Sequence, residues 1–310
     1  MSAPTAPRRP RLGGVFCPVI TPLDDRGRLD EPALRRQVDR VVAAGDQVMV
    51  LGTSGELPIL PAVVADRVVE VAADQLAGRT TLVCGVGDVG TERALANVAR
   101  AGGAGADAVA VTTPYYYPVD ADAVRRHYRE VADRSEVPVA LYNIPVNTHT
   151  PLTREVVADL AQHPNVVAIK DSSGDRDFFA WLLEHRDAHG LAVLQGSDEK
   201  RAHHYWRAGI DGYVSGLENV LPGTMLELAA AVRAGDDGAV AAAQARVDAI
   251  ADLTAEGFWL SVLKAGAALQ GVGSGRVSAP LPGLSDELHG RLRETLAAHD
   301  LLPGLAGAPG

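Results

Sequence analysis

Three features are missing from this 310-residue sequence, and each absence excludes a class of protein. No apolar run approaches the roughly 18 residues of a membrane-spanning helix, so we expect no membrane association. The net charge is −10 without a compensating basic cluster, which argues against binding to nucleic acid or to anionic lipid. The nine histidines show no ligand spacing such as His-Glu-x-x-His, and we therefore predict no metal site.

Cysteine is also scarce. Cys17 and Cys84 each lie within an apolar run, where we expect buried free thiols of the kind found in a reducing cytoplasm. The N-terminal segment has no apolar stretch of the roughly 7 to 15 residues that a secretory signal contains, which also favours a cytoplasmic protein. Residues 1–12 and 303–310 are rich in proline or glycine, and we predict disordered tails there.

Lysine is the scarcest charged residue, because the 29 basic residues include only Lys170, Lys200 and Lys264. Arginine keeps its proton at any working pH, whereas a desolvated lysine can lose its proton and attack a carbonyl. A lysine retained in an arginine-rich sequence is therefore a candidate nucleophile. Lys200 and Lys264 fall on predicted helices, where we expect solvent-exposed surface charge, and this leaves Lys170.

Short apolar runs alternate with amphipathic stretches along the chain. Each run is nearly continuous in Val, Ile, Leu or Ala, as in a parallel strand that is covered on both faces. Eight such units without a linker predict an α/β protein, a (β/α)8 TIM barrel over 13–224 followed by a C-terminal helical region over 225–302. A doubly wound open sheet is the alternative, but its glycine fingerprint is missing after the first strand. The predicted strands are 14–20, 47–51, 80–86, 107–111, 137–142, 166–169, 191–194 and 211–214.

Three predicted junctions between a helix and the next strand share a pattern of glycine followed by aspartate. The glycines are Gly45, Gly105 and Gly209. Glycine adopts the left-handed conformation that ends many helices, so the pattern supports the predicted boundaries.

Lys170 lies at the end of the sixth apolar run. The carboxyl ends of the strands carry the reacting groups of such barrels, and apolar neighbours there would favour a neutral, nucleophilic amine. A structural ion pair between Lys170 and Asp171 or Glu56 is the alternative interpretation.

The second predicted strand ends in a polar turn that contains Thr53, Ser54 and Gly55. Its backbone amides are suited to binding a carboxylate at a helix N-terminus. The spacing of Thr53 and Glu56 equally fits a capping box that only begins a helix.

Tyrosines follow two other predicted strands. Tyr142 is either a packing aromatic or a proton relay. Three consecutive tyrosines at 115–117 cannot all face one site, and tyrosine is enriched at interfaces. We therefore predict that this run contributes to contact between subunits.

Five segments at predicted strand ends occur in the order GTSGE (52–56), TPYYY (113–117), YNIP (142–145), AIKDSSGD (168–175) and QGSDE (195–199). Together they resemble the dihydrodipicolinate synthase / N-acetylneuraminate lyase family from about Gly13 to about Leu302. These are pyruvate-dependent class I aldolases built on a (β/α)8 barrel with a C-terminal helical extension. The resemblance implies that Lys170 forms a Schiff base with pyruvate or another 2-oxo acid, without a further cofactor.

The resemblance also implies roles for other side chains. Tyr142 would relay protons, Thr53 and Ser54 would bind the substrate carboxylate, and Tyr116 would enter the active site of a neighbouring subunit. The protein would then be a homo-oligomer, either a dimer or a dimer of dimers. Further substrate-binding positions implied in this way are Gly55, Asn147, Gly196, Ser197, Asp198 and Val214.

Asn147 departs from the pattern of the synthases, which carry an arginine there to hold the carboxylate of aspartate semialdehyde. An asparagine cannot supply that charged, bidentate contact. Asp198 and Glu199 match an acidic pair that sialic-acid lyases use to hold sugar hydroxyls, although an acidic pair at a helix N-terminus is an equal alternative. These residues favour a lyase acting on a hydroxylated 2-oxo acid. The lysine-biosynthetic synthase and a non-enzymatic ligand-binding barrel are the other hypotheses.

Overall fold

The computed structural model describes residues 12–302. The predicted tails lie outside these residues except for Leu12, which is buried inside the barrel rather than part of a tail. Eight parallel strands form one closed barrel in chain order, and the last strand pairs with the first. The strands are β1 Gly14–Pro18, β2 Gln47–Val50, β3 Leu82–Gly85, β4 Ala108–Thr112, β5 Val139–Asn143, β6 Val166–Asp171, β7 Ala192–Gln195 and β8 Gly212–Val214.

Helices surround the barrel and extend it at the C-terminus, as the sequence predicts. No helix within residues 12–302 combines the length and apolar character that crossing a bilayer would need. The helices are α1 Glu31–Ala43, α2 Ala62–Leu76, α3 Thr91–Gly103, α4 Ala121–Arg134, α5 Pro145–Thr148, α6 Arg154–Leu160, α7 Arg176–His189, α8 Ala202–Arg207, α9 Thr224–Ala234, α10 Asp237–Glu256, α11 Trp259–Leu269 and α12 Asp286–Ala298.

The boundary between barrel and C-terminal region lies later than predicted. Helix α9 contacts both α8 and β1, so it is the eighth helix of the barrel and extends the barrel to Ala234. The C-terminal region consists of α10, α11 and α12, and α11 packs against the segment that follows β8. This places the region beside the carboxyl ends of the strands.

The barrel wall separates two apolar clusters. On β1, Phe16 packs inside the barrel, whereas Val15 and Cys17 pack outward into the core shared with the helices. Both cysteines are buried free thiols, as predicted. Burial raises the pKa of Cys84 to about 12, so this thiol is unreactive at neutral pH.

The glycine and aspartate junctions adopt the predicted conformation. Gly45, Gly105 and Gly209 have φ angles of 93°, 94° and 81°. The aspartate at such a junction also ties two strands together, since Asp107 Oδ2 accepts the amide of Leu82 on the preceding strand at 2.8 Å.

Candidate active site

Lys170 lies within β6, beside Tyr142 of β5 in the strand register. Its side chain points into the mouth of the barrel, and the residue is only 5% exposed. Its Nζ atom lies 3.8 Å from the centroid of the Tyr142 ring. The amine and the tyrosine therefore face one cavity in direct contact with each other.

Both carboxylates considered as partners of Lys170 bind other groups. Asp171 accepts hydrogen bonds from Asn143 Nδ2 at 2.7 Å and from Ser173 Oγ at 2.9 Å. Glu56 forms its ion pair with Lys264. The alternative interpretation of Lys170 as half of a structural pair with either residue is therefore wrong.

The expectation for Lys264 is also wrong, because this side chain is buried rather than solvent-exposed. Its Nζ lies 2.8 Å from Glu56 Oε2, and the two side chains are 1% and 0% exposed. Lys200 is a surface residue as predicted, and its exposed amine pairs with Asp252 at 2.6 Å.

Gly196 at the end of β7 leaves the space that Lys170 occupies. A Cβ atom at this position would lie 2.5 Å from Lys170 Cε and would also overlap Ser172 Oγ. Real Cβ atoms do not approach so closely, so a side chain at this position would displace the lysine. The sequence predicts that Gly196 belongs to the site but does not predict this role.

The turn after β2 brings Thr53 to the tyrosine. Thr53 Oγ1 lies 3.1 Å from Tyr142 OH. The capping-box alternative is wrong, because the next α-helix begins only at Ala62 and the Glu56 side chain binds Lys264 instead of a helix terminus. Ser54 is buried beside Thr53 and faces the same cavity.

These groups line one cavity of about 400 Å³ at the mouth of the barrel. Its wall includes the predicted catalytic residues Lys170, Tyr142 and Thr53. The predicted substrate-binding residues in the wall are Ser54, Asn147, Gly196, Ser197 and Val214, whereas Gly55 and Asp198 do not line it.

The C-terminal region supplies a part of the wall that the sequence does not predict. Thr254 from the end of α10 and Trp259 and Leu263 from α11 face the cavity. An apolar helix far along the chain carries no local signal that it will reach the barrel mouth. The cavity is therefore closed on one side by residues outside the barrel.

The acidic residue that faces the cavity is Glu199 rather than Asp198. Asp198 accepts a hydrogen bond from Tyr205 OH at 2.9 Å, on the side away from the cavity wall. Ser215 Oγ lies 3.3 Å from Glu199 Oε1, and burial raises the pKa of Glu199. Asp198 precedes a short 3-10 helix but makes no side-chain capping bond, which does not support the helix-terminus alternative.

The three consecutive tyrosines point in different directions. Tyr116 is 80% exposed and has a φ of 124°, and Tyr117 is 71% exposed. Tyr115 lines a second cavity of about 230 Å³, which shares Thr53 and Tyr142 with the first. Within its own chain, Tyr116 therefore lies outside the cavity that holds Lys170.

The cavity wall has few acidic or basic side chains. Among the residues of 12–302 that line the cavity, Lys170 carries the one amine and Glu199 the one carboxyl group. Residues 12–302 contain no group of three or more His, Cys, Asp or Glu side chains arranged to hold a metal ion. A closed parallel barrel whose cavity lies at the carboxyl ends of the strands, with a buried lysine and tyrosine on neighbouring strands, defines the class of a barrel enzyme with its active site at this face.

Comparison with known proteins identifies the family within this class. The chain belongs to the dihydrodipicolinate synthetase family, whose model matches residues 11–299. The protein is thus a pyruvate-dependent lyase of the class I aldolase type, which confirms the predicted family, fold and enzyme class.

Several relatives match nearly the whole chain, including one from Halobacterium and one from Streptomyces. A DapA-like lyase of Halobacterium salinarum is 36% identical over 297 residues, which cover 94% of this chain and 95% of that protein. The 4-hydroxy-tetrahydrodipicolinate synthase 1 of Streptomyces coelicolor is 36% identical over 299 residues, which cover 96% of each.

Solved structures agree with the fold. Dihydrodipicolinate synthase from Aquifex aeolicus superposes with a TM-score of 0.88 at 27% identity, covering 94% of this chain and 99% of that one. The E. coli prophage protein YagE, solved in complex with pyruvate, gives 0.87 at 27% identity and covers 93% and 99%.

Proposed function

We propose that Lys170 forms an imine with pyruvate or another 2-oxo acid, and that the protein makes or breaks a carbon–carbon bond between pyruvate and an aldehyde. The observation that carries this proposal is the buried Lys170 amine, 3.8 Å from the Tyr142 ring inside the 400 Å³ cavity. The amine faces the cavity directly, where it can reach the ketone carbon of a bound 2-oxo acid. The imine itself withdraws electrons, so the proposal includes neither a cofactor nor a metal.

In the cleavage direction the amine adds to the ketone carbon of the 2-oxo acid and gives a carbinolamine. Loss of water leaves a protonated imine, which accepts the electron pair of the bond between C3 and C4. The hydroxyl on C4 loses its proton, so that C4 becomes the carbonyl carbon of the departing aldehyde. An enamine remains on Lys170. Protonation at C3 and addition of water then release pyruvate and free the lysine.

Tyr142 and the turn after β2 supply the remaining groups. The Tyr142 hydroxyl lies 3.1 Å from Thr53 Oγ1 and would exchange protons with the carbinolamine and with the C4 hydroxyl. The hydroxyls of Thr53 and Ser54 and the amides of their turn would bind the carboxylate next to the ketone.

Covalent trapping tests the proposal. Pyruvate with borohydride should add a reduced three-carbon adduct to Lys170, located by peptide mass mapping. Lys170→Ala should remove the label. Labelling that persists in this variant, or that falls on another residue of the wild type, would refute the assignment.

Two residues of the cavity wall bear on the part of the substrate beyond its 2-oxo acid group. Asn147 lies in the cavity wall where a carboxylate-binding arginine would be needed for aspartate semialdehyde, and Glu199 would repel a second carboxylate. Together they support a hydroxylated, uncharged tail. The names of the relatives favour a second candidate, 4-hydroxy-tetrahydrodipicolinate synthase activity, which the proteins of S. coelicolor and Methanothrix thermoacetophila carry.

A substrate panel separates the two candidates. We expect pyruvate release from hydroxylated 2-oxo acids and poor condensation of pyruvate with aspartate semialdehyde. Asn147→Arg should raise that condensation by about 10 to 150-fold, the value of one charge-assisted bidentate contact. A wild-type preference for aspartate semialdehyde would instead establish the synthase.

Tyr116 supports the further proposal that two copies of the chain share their sites. A bulky residue at φ 124° is strained, and its 80% exposed ring points away from its own subunit. The second cavity, beside Thr53 and Tyr142, could receive the ring of a second copy. Mixing inactive Lys170→Ala and Tyr116→Phe proteins under subunit exchange should restore partial activity. An active monomer would refute the shared site.

The two cysteines bear on where the enzyme works. Two buried, unpaired thiols support our proposal that the enzyme works in a reducing cytoplasm.

A further inference from the structure

The turn that carries Thr53 and Ser54 is bracketed by two residues in an unfavourable conformation. Leu51 has a φ of 56° and Glu56 a φ of 62°, the left-handed region that residues with a side chain seldom adopt. Such residues keep this conformation only where the surrounding structure fixes them. The shape of the turn therefore depends on what holds its two ends.

The barrel holds the turn through Gly55. Thr21 Oγ1, just after β1, donates to the carbonyl of Gly55 at 2.7 Å. Any side chain on Gly55 would lie 2.7 Å from the backbone nitrogen of Leu51. The backbone is thus packed tightly on this side.

The C-terminal region holds the turn through Glu56. Lys264 on α11 donates to Glu56 Oε2 at 2.8 Å, and the backbone amide of Ser278 donates to Oε1 at 2.9 Å. Ser278 Oγ adds a longer contact of 3.3 Å to Oε2. Three donors from outside the barrel therefore hold one carboxylate, on the residue that ends the turn.

Helix α11 also reaches the substrate cavity. Leu263, next to Lys264 in the sequence, lines the cavity together with Trp259. The Lys264 amine itself is not in the cavity wall, and burial lowers its pKa while Glu56 opposes that shift. One helix thus forms part of the cavity and anchors the turn across from it.

We propose that Lys264 is a positioning residue, which acts through Glu56 to hold the turn of Thr53 and Ser54 in its carboxylate-binding conformation. Through this ion pair the C-terminal helical region sets the affinity for the substrate carboxylate, although Lys264 itself does not line the cavity. This inference rests on the proposed function, in which that turn binds the carboxylate of the imine on Lys170.

Borohydride trapping at increasing pyruvate concentration measures the effect on binding. In Lys264→Met we expect the pyruvate concentration for half-maximal labelling of Lys170 to rise by at least about tenfold, because small displacements of positioning groups have effects of this size or larger. Labelling at saturating pyruvate should stay complete, since the nucleophile is unchanged. The measurement is made well below the unfolding temperature of the variant.

Methyl pyruvate distinguishes positioning from a general loss of structure. This ester keeps the ketone that Lys170 attacks but lacks the charged carboxylate. Lys264→Met should therefore reduce the preference for pyruvate over methyl pyruvate by about tenfold, while labelling by the ester changes little. Equal weakening of both compounds, or a preference within twofold of the wild type, would overturn the inference.

Lys200→Met is the matched control. Lys200 also pairs with an acidic residue of the C-terminal region, Asp252 on α10, at 2.6 Å, but both side chains are more than half exposed. The same substitution there should leave both half-maximal concentrations within about twofold of the wild type, since exposed pairs contribute little. A shift equal to that of Lys264→Met would also overturn the inference.

A second variant keeps the test decisive if Lys264→Met fails to fold. The double variant Glu56→Gln/Lys264→Met leaves no unpaired buried charge but still lacks the ion pair. It should fold and show the same reduced preference for pyruvate, and a wild-type preference would refute the role of Lys264. Absence of labelling in the wild type would refute the proposed function and this inference together, whereas normal wild-type labelling with unaltered variants refutes the inference alone.

Discussion

The barrel mouth and the contact between α11 and the turn after β2 each bury a lysine. Lys170 is 5% exposed and Lys264 is 1% exposed, yet their surroundings differ. Lys264 is held by the carboxylate of Glu56, whereas Lys170 lies against the ring of Tyr142 in an open cavity. Burial alone therefore does not make a lysine reactive. The groups that face the two amines differ, which supports our proposal that Lys170 is a nucleophile and Lys264 a structural cation.

Replacing each lysine by methionine tests this contrast with the largest expected effect. Lys170→Met should lower turnover by at least about 10⁴, since removal of a nucleophile eliminates the covalent route. Its thermal stability should equal or exceed that of the wild type, because an apolar side chain of similar length replaces an amine held by neither Asp171 nor Glu56. Steady-state rates and calorimetry check both parts. Retained turnover would show that Lys170 is not the nucleophile.

Tyr142→Phe tests the partner of Lys170. Turnover should fall by about 10² to 10⁴, the contribution of a positioned acid and base, while the packed ring remains. Tyr128→Phe is the control, because this buried hydroxyl donates to the Val111 carbonyl at 2.9 Å outside the cavity. It should reduce stability but not turnover. Equal rates in the wild type and Tyr142→Phe would make Tyr142 a packing residue.

Lys264→Met should lower the stability of the protein, whereas Lys170→Met should not. It leaves the Glu56 carboxylate buried without its ion-pair partner, which costs about 3 to 5 kcal/mol in comparable cases. The double variant Glu56→Gln/Lys264→Met should recover most of that loss, because no unpaired charge remains. Urea unfolding measures both. A single variant as stable as the wild type would show that water reaches Glu56.

Gly196→Ala examines the space around Lys170. The added Cβ would lie 2.5 Å from Lys170 Cε, so the amine must shift, and turnover should fall by about 10². Gly290→Ala, on an open face of α12, is the same substitution with nothing within 4 Å and should leave turnover unaltered. An active Gly196→Ala protein would mean that the lysine can adopt a second productive position.

The position of Lys170 can be predicted from the sequence, but the ion pair of Lys264 cannot. Lys170 follows an apolar β-branched run, and its position relative to the strand predicts its place at the barrel mouth. Lys264 could have been recognised as buried, since it is the one charged residue of α11, Trp259–Leu269. Its partner Glu56 is 208 positions away along the chain, and no local pattern reveals such a contact.

The same limit applies to the cavity wall. Strand ends could be aligned by their apolar runs, which placed Thr53, Tyr142 and Gly196 in one site. The choice between Asp198 and Glu199 depends on the local backbone, since Asp198 has a left-handed φ of 56° and Glu199 begins the short 3-10 helix that follows. Backbone conformation of this kind does not follow from residue type, because aspartate adopts it only in some turns.

Asp46 and Glu218 add a third environment to the comparison, in which a buried charge faces a charge of the same sign. Both are buried, and both accept the backbone amide of Gly223. Burial raises the pKa of Asp46, and burial followed by the charge of Asp46 raises that of Glu218. The pair is therefore most stable when it holds a proton.

This pair predicts the smallest of the effects, a dependence of stability on pH. In the unfolded chain both carboxyls ionise near pH 4, whereas the folded protein retains protons to higher pH. The folded state thus binds more protons above about pH 4, and the pair's contribution to the free energy of unfolding falls as the pH rises toward neutrality. Asp46→Asn removes one charge and offers Glu218 an amide donor. The free energy of unfolding of Asp46→Asn minus that of the wild type should therefore increase by about 1 to 3 kcal/mol from pH 5 to pH 8. Urea midpoints at both pH values measure this, with Asp236→Asn at the exposed start of α10 as the control. A pH dependence identical to that of the wild type would show that the two carboxylates do not share a proton.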